Sequence, residues 1–185
     1  MNVMVILWAT CSPLLAQNEQ DNPEFKAWNG FKAGSTVTLK SETELNGTKS
    51  SDEMTTTILE VAEDKVIIEM KGKYIRAGKE TDSPARKREI PAKRRVDQLG
   101  PNAPRQEPDK TDTKTGEEDL EINGVKIKCK WTEVTMTFNR VDGGKDIQRI
   151  KTWKSDQIPG HLVREEAGRT DSGKSVRAVT RFEIK

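Results

Sequence analysis

The chain has 185 residues, enough for one domain plus a leader, with 34% charged residues and only 5% aromatics, so its core is thin and its surface well solvated. Its 32 basic residues against 30 acidic ones leave a net charge of +2. That balance argues against a global field for nucleic acid.

Met1 to Gln17 stands apart from the rest. Val3 to Trp8 is apolar, Pro13 breaks the run, and Leu14-Leu15-Ala16 precedes polar Gln17-Asn18-Glu19. This stretch is too short to span a bilayer and ends on a small residue, so residues 1–16 read as a signal peptide and 17–185 as a single β domain. No Lys or Arg occurs before Lys26, so the usual positive start is missing. The residues before Cys11, Trp8-Ala9-Thr10, lack the Leu and small-residue pattern of a lipid anchor, which speaks against anchoring there. The expected location is exported, periplasmic or secreted, and no later stretch is apolar enough for a transmembrane helix.

Phe25, Trp28 and Phe31 are spaced by three residues, which predicts a short helical turn with the rings on one face. It reads as a plug for one end of a sheet, with an aromatic ligand lip as the alternative. Ser35 to Leu45 alternates through Val37, Leu39, Thr43 and Leu45, and Asn46-Gly47 then signals a hairpin. Asn46-Gly47-Thr48 also fits a glycosylation triplet, which the turn explains without a sugar. Met54 to Val61 is a threonine-rich strand, Glu63-Asp64 turns the chain, and Val66, Ile68, Met70 and Tyr74 alternate, with Gly72 marking a bend or bulge.

From Arg76 the composition becomes polar and proline-punctuated. Arg86, Lys87, Arg88, Lys93, Arg94 and Arg95 form a basic cluster, and an edge strand is expected near Lys87 to Ala92. The cluster reads as a solvated edge, with an anionic partner as the functional alternative; only Tyr74 is near as a stacking ring, and no nucleic-acid partner is expected. Residues 97–116 have almost no apolar content and are predicted to be a flexible loop.

Asn123-Gly124 is a strong two-residue hairpin signal. After it Val125, Ile127, Cys129 and Trp131 alternate with Lys126, Lys128 and Lys130. Val134, Met136 and Phe138 then continue on the other parity, which predicts a β-bulge near Thr132-Glu133. Asp142-Gly143-Gly144 turns the chain into a strand carrying Ile147, Ile150 and Trp153, and Ile158-Pro159-Gly160 breaks it. Asp171-Ser172-Gly173 is the last turn, before a cleanly alternating strand through Val176, Ala178, Thr180, Phe182 and Ile184. The fold class is therefore all-β: a single curled antiparallel meander, half-barrel or barrel-like, of about eight or nine strands with a short N-terminal plug.

The runs "NGVKIKCKW", "KTWKSDQIPGHLV" and the closing "RFEIK" resemble a group of uncharacterised bacterial exported β-rich proteins with a W-x-S-x-x-x-P-G element. The likeness covers most of the chain after Asn22 and implies no activity. At the level of fold alone, the meander is similar to the periplasmic lipoprotein-localisation factors.

A catalytic set is hard to assemble. His161 is the only histidine, and a nucleophile–base pair with Cys129 is weighed against a small hydrophobe on the face of Ile127 and Trp131. Asp142 to Asp146 has too few oxygen ligands for a calcium loop and reads as a turn. No metal, cofactor or enzymatic activity is expected. Two readings stay open. One is a carrier holding a lipid-like or apolar small molecule, with Trp131, Trp153, Cys129 and Trp28 as its wall. The other is a structural or interaction module of the cell envelope with a filled core, whose surface meets a protein or an anionic polymer.

Overall fold

The computed structural model describes residues 19–45, 47–76, 78–95, 107–140, 142–170 and 173–185. The expected signal peptide at 1–16, Cys11, Asn46 of the hairpin and triplet, and Asp171-Ser172 lie outside the described residues.

Eleven strands and one helix follow in chain order among the described residues. They are β1 (Glu19–Asp21), α1 (Pro23–Trp28), β2 (Thr36–Leu45), β3 (Thr48–Val61), β4 (Lys65–Arg76), β5 (Lys79–Pro91), β6 (Lys93–Arg95), β7 (Lys110–Ile122), β8 (Val125–Asn139), β9 (Lys145–Lys154), β10 (Leu162–Arg169) and β11 (Gly173–Glu183). Nine of them form one antiparallel sheet in the order β5-β4-β3-β2-β11-β10-β9-β8-β7, which is not closed, and β1 and β6 form a small second sheet. The fold is the all-β antiparallel meander expected, with one twist of order. The first and last long strands, β2 and β11, meet in the middle of the sheet, so its edges are the internal strands β5 and β7.

The turns follow their residues. Asn123 (φ 50°) and Gly124 (φ 79°) supply the two positive φ angles that a type I′ hairpin requires. At the Asp142 turn the Gly143 N–H reaches the Arg140 carbonyl at 3.0 Å, and Asp142 Oδ1 accepts from the Gly144 N–H at 3.0 Å. The register of β4 on β5 shifts between Met70 and Gly72, where the bend was expected, and Pro84 falls in the matching irregular stretch of edge strand β5. A proline is tolerated there because no neighbour needs its missing N–H.

Two expectations are corrected. The bulge near Thr132-Glu133 is not formed: β8 runs in unbroken register against both β7 and β9 through these residues. Val134, Met136 and Phe138 simply project from the opposite side of β8 to Trp131, so the strand is half-buried on different sides along its length. Register shifts occur instead at Leu162/Arg164, Val179/Arg181 and Ile58/Glu60. The flexible loop over 97–116 is also too long. Residues 97–106 lie outside the described residues, but Lys110 to Gly116 belongs to β7, paired residue by residue with Thr137 to Trp131. An edge strand satisfies its backbone on one side and needs little apolar content, and Thr111, Thr113 and Thr115 suit a pleated surface.

Two hydrophobic clusters stabilise the sheet. In the N-terminal half, Phe25 of α1 packs with Ile58, Val66, Ile68 and Ile90, joined by Phe31 and Met70. Centred on the C-terminal half, Ile122, Ile127, Cys129, Trp153, Ile158, Val163 and Val179 form the second together with Val37 of β2, joined by Trp131 and Phe182. Trp28 packs against both. The plug reading thus holds: α1 starts at the Asn22 cap, whose side chain accepts from the Glu24 N–H, and sets Phe25 and Trp28 into the core.

Candidate functional site

The Pro-Gly corner after β9 is a buried device. Ile158 and Pro159 are fully buried, and Ser155 is nearly so. The Ser155 N–H donates to the His161 carbonyl at 2.9 Å and the His161 N–H to the Ile158 carbonyl at 2.8 Å, closing the corner on itself. Gly160 has φ +78°, its N–H reaches the Ala27 carbonyl at 2.9 Å, and a Cβ there would lie 2.7 Å from the Trp28 ring. Gly160 therefore seats the corner on α1.

Beside this corner the sheet carries a polar-aromatic cluster. Trp131 and Trp153 stand opposite each other across β8 and β9. The Lys151 ammonium lies 4.4 Å from the Trp131 ring centre and 4.3 Å from that of Trp153, a cation held between two indole faces. The Arg164 guanidinium adds a third contact, 5.5 Å over Trp153. On β7, Glu118 Oε1 accepts from Trp153 Nε1, and from Lys151 Nζ at 3.5 Å. The Trp153 N–H, with smaller help from Lys151 and Arg164, holds the Glu118 carboxyl below the usual range despite some desolvation. Gly116, opposite Trp131, leaves room for that indole: a Cβ there would be 2.5 Å from it.

All four expected wall residues, Trp131, Trp153, Cys129 and Trp28, thus belong to one hydrophobic cluster. The neighbouring cleft, about 660 Å³, has Cys129 on its wall, but Glu117, Asp119, Lys128, Lys130 and Lys154 line it too, so it is open and highly charged. Cys129 is 2% exposed and its thiol donates to the Ile127 carbonyl at 3.4 Å. Burial pushes its pKa up, the opposite of what an activated nucleophile needs. His161 (φ 61°) faces the edge of Phe31, ring centres 6.4 Å apart, with Asp156 Oδ1 3.5 Å from its Nδ1.

The basic cluster is divided. Lys93 binds Asp21 at 2.6 Å, Asp21 also takes Lys26 at 2.8 Å, and Arg88 pairs with Glu24. Lys93 and Arg94 lie on β6, opposite Asp21 and Gln20 of β1, and Arg95 is the last residue of β6. These residues tie the N-terminal segment down. Arg86 and Lys87 stay exposed on β5. Sequence reasoning missed Glu118, Lys151, Arg164 and Gly116. They come from three different strands, β7, β9 and β10; the one local signal was Lys151 two residues before Trp153, the spacing that puts both on one side of a strand.

No family model matches the chain, and no curated protein matches it. Among solved structures it is similar to a Bacteroides fragilis protein assigned as exported, with a YmcC-like fold, at 11% identity and TM-score 0.46, over 83% of this chain and 97% of that one. It is also similar to a Parabacteroides distasonis protein assigned as a lipoprotein, at 12% identity and TM-score 0.44, over 82% of this chain and 96% of that one.

Proposed function

We propose that the chain is an exported, non-enzymatic β-sheet module of the cell envelope that acts through its surface and keeps its interior filled. The export half of this reading rests on the apolar run Val3 to Trp8 and the small-residue end at Ala16. The filled interior rests on one observation: Trp153 is buried in the same cluster as Cys129, Ile158 and Val163, with Trp28 and Trp131 packed against it. Indoles spent on packing one another, a lysine and a glycine are not free to line a ligand cavity. A thin core also loses stability when volume goes to a cavity. The adjoining cleft is lined by carboxylates and ammonium groups, which suits polar partners better than an acyl chain.

The test is mass spectrometry of an organic extract from natively purified protein expressed with its leader. A clean extract, repeated after incubation with envelope lipids, is the expected result. A stoichiometric lipid or apolar compound would overturn the filled-core reading and establish the carrier instead.

A further inference from the structure

The two edges of the open sheet are strands of opposite charge. β5 and β7 each have a single hydrogen-bonded neighbour among the described residues, β4 and β8. Each therefore presents a row of backbone donors and acceptors that another strand could meet. β5 carries Arg86-Lys87-Arg88 and β7 carries Glu117-Glu118-Asp119, all exposed. Among the described residues Arg86, Lys87, Glu117 and Asp119 make no ion pair, whereas Arg88 and Glu118 are engaged within the chain.

Charged edges keep strands from pairing with their own kind: β5 against β5 brings cations together, and β7 against β7 brings carboxylates together. The same charges favour one combination. Laid antiparallel, Arg86 falls opposite Asp119, Lys87 opposite Glu118 and Arg88 opposite Glu117, and the flanking pairs are Glu89 with Gly116 and Ile90 with Thr115. No like charges meet. The stretch is bounded on one side by Pro84, which has no N–H to offer, where β5 already loses register with β4.

Resting on the reading of a module that acts through its surface, we infer that the partner is a second copy of this chain, joined β5 to β7 edge to edge. The contact is head-to-tail. Each copy keeps one free β5 and one free β7, so association runs on as an open chain of copies rather than stopping at a dimer.

Sedimentation velocity of the full chain tests this. At low salt the average size should rise with concentration, and in 1 M salt, where screening acts within about 3 Å, it should fall back to the monomer. The double variants Arg86→Glu/Lys87→Glu and Glu117→Lys/Asp119→Lys leave Arg88 and Glu118 in place. Each alone makes its two edges largely alike and should stay monomeric; mixed in equal amounts they should associate again, but only in pairs, through the unaltered β5 of one variant and the unaltered β7 of the other. A native chain that stays monomeric at every concentration overturns the inference, as does association that ignores both salt and charge reversal. The salt series on the unaltered chain decides even if a variant misfolds. A monomeric result leaves the filled-core reading standing, because the organic extract decides that separately.

Discussion

The two halves of the sheet reach a core by different means. In the N-terminal half, β2 to β5, small aliphatic side chains suffice because a helix covers them: Ile58 and Val66 are fully buried beneath Phe25 of α1. In the C-terminal half, β7 to β11, the core is built from two indoles whose polar groups must be satisfied in place, Trp153 Nε1 by Glu118 and the ring faces by Lys151. The first solution depends on volume and the second on matched chemistry. Trp28 joins them, touching both clusters and seating the Pro-Gly corner.

The largest effect is expected in the aliphatic half. Ile68→Ala removes a side chain that is 2% exposed and should cost about 2–5 kcal/mol in a urea titration, the range for emptying a buried aliphatic site. If the halves form one unit, tryptophan fluorescence and far-UV circular dichroism should report the same midpoint; separated midpoints would break the halves apart.

Next comes the junction. Gly160→Ala meets both a positive φ and the Trp28 ring, and should cost about 1–3 kcal/mol from backbone strain and overpacking. It should also change the Trp28 emission in the native baseline. An unaltered spectrum and midpoint would mean that the corner is not seated as described.

A smaller loss is expected from Cys129→Ser, which puts a hydroxyl where a thiol is 2% exposed; about 1 kcal/mol, the low end for burying such a group, is expected because the Ile127 carbonyl that accepts from the thiol can accept from the hydroxyl. In the native protein Cys129 should resist iodoacetamide until denaturant is added. Rapid native labelling would contradict both its burial and its raised pKa.

The mildest effects should appear in acid, and they separate the halves again. Asp21 is held at about 2 by hydrogen bonds from Lys26 and Lys93, and Glu118 is lowered chiefly by the Trp153 N–H. A carboxyl lowered on folding contributes stability that is full above its unfolded pKa, about 4, and is lost as pH falls through the folded value. Asp21→Asn should flatten that acid loss in a salt-sensitive way, since its partners are exposed ammonium groups. Glu118→Gln should flatten it with less salt dependence, since its main partner is a neutral N–H. Equal salt dependence in the two variants would erase the distinction.

Much of the fold was legible because β-structure has a short period and strong punctuation. Asn123-Gly124 places a hairpin through backbone sterics alone, and the strand from Val176 to Phe182 falls within β11, but the expected even alternation does not hold there: the register shift between Val179 and Arg181 buries Val179 and leaves Thr180 exposed. Phe25 and Trp28 showed their shared side through spacing. The strand at Lys110 to Gly116 was not legible, since its pairing with β8 leaves almost no apolar trace. The parity switch in β8 looked like a bulge because a single strand cannot reveal which of its sides is covered.

The order of the sheet and the make-up of the polar-aromatic cluster belong to the tertiary structure alone. The pairing of β2 with β11 joins residues more than a hundred positions apart and turns β5 and β7 into edges. Glu118, Lys151 and Arg164 surround Trp153 only because four strands align in register. Local residues determined the turns, the helix cap and the alternating faces, since these depend on neighbours within a few bonds. Long-range register decided which charges stand at the edges and which indoles meet, since backbone hydrogen bonds between distant strands carry no local signature.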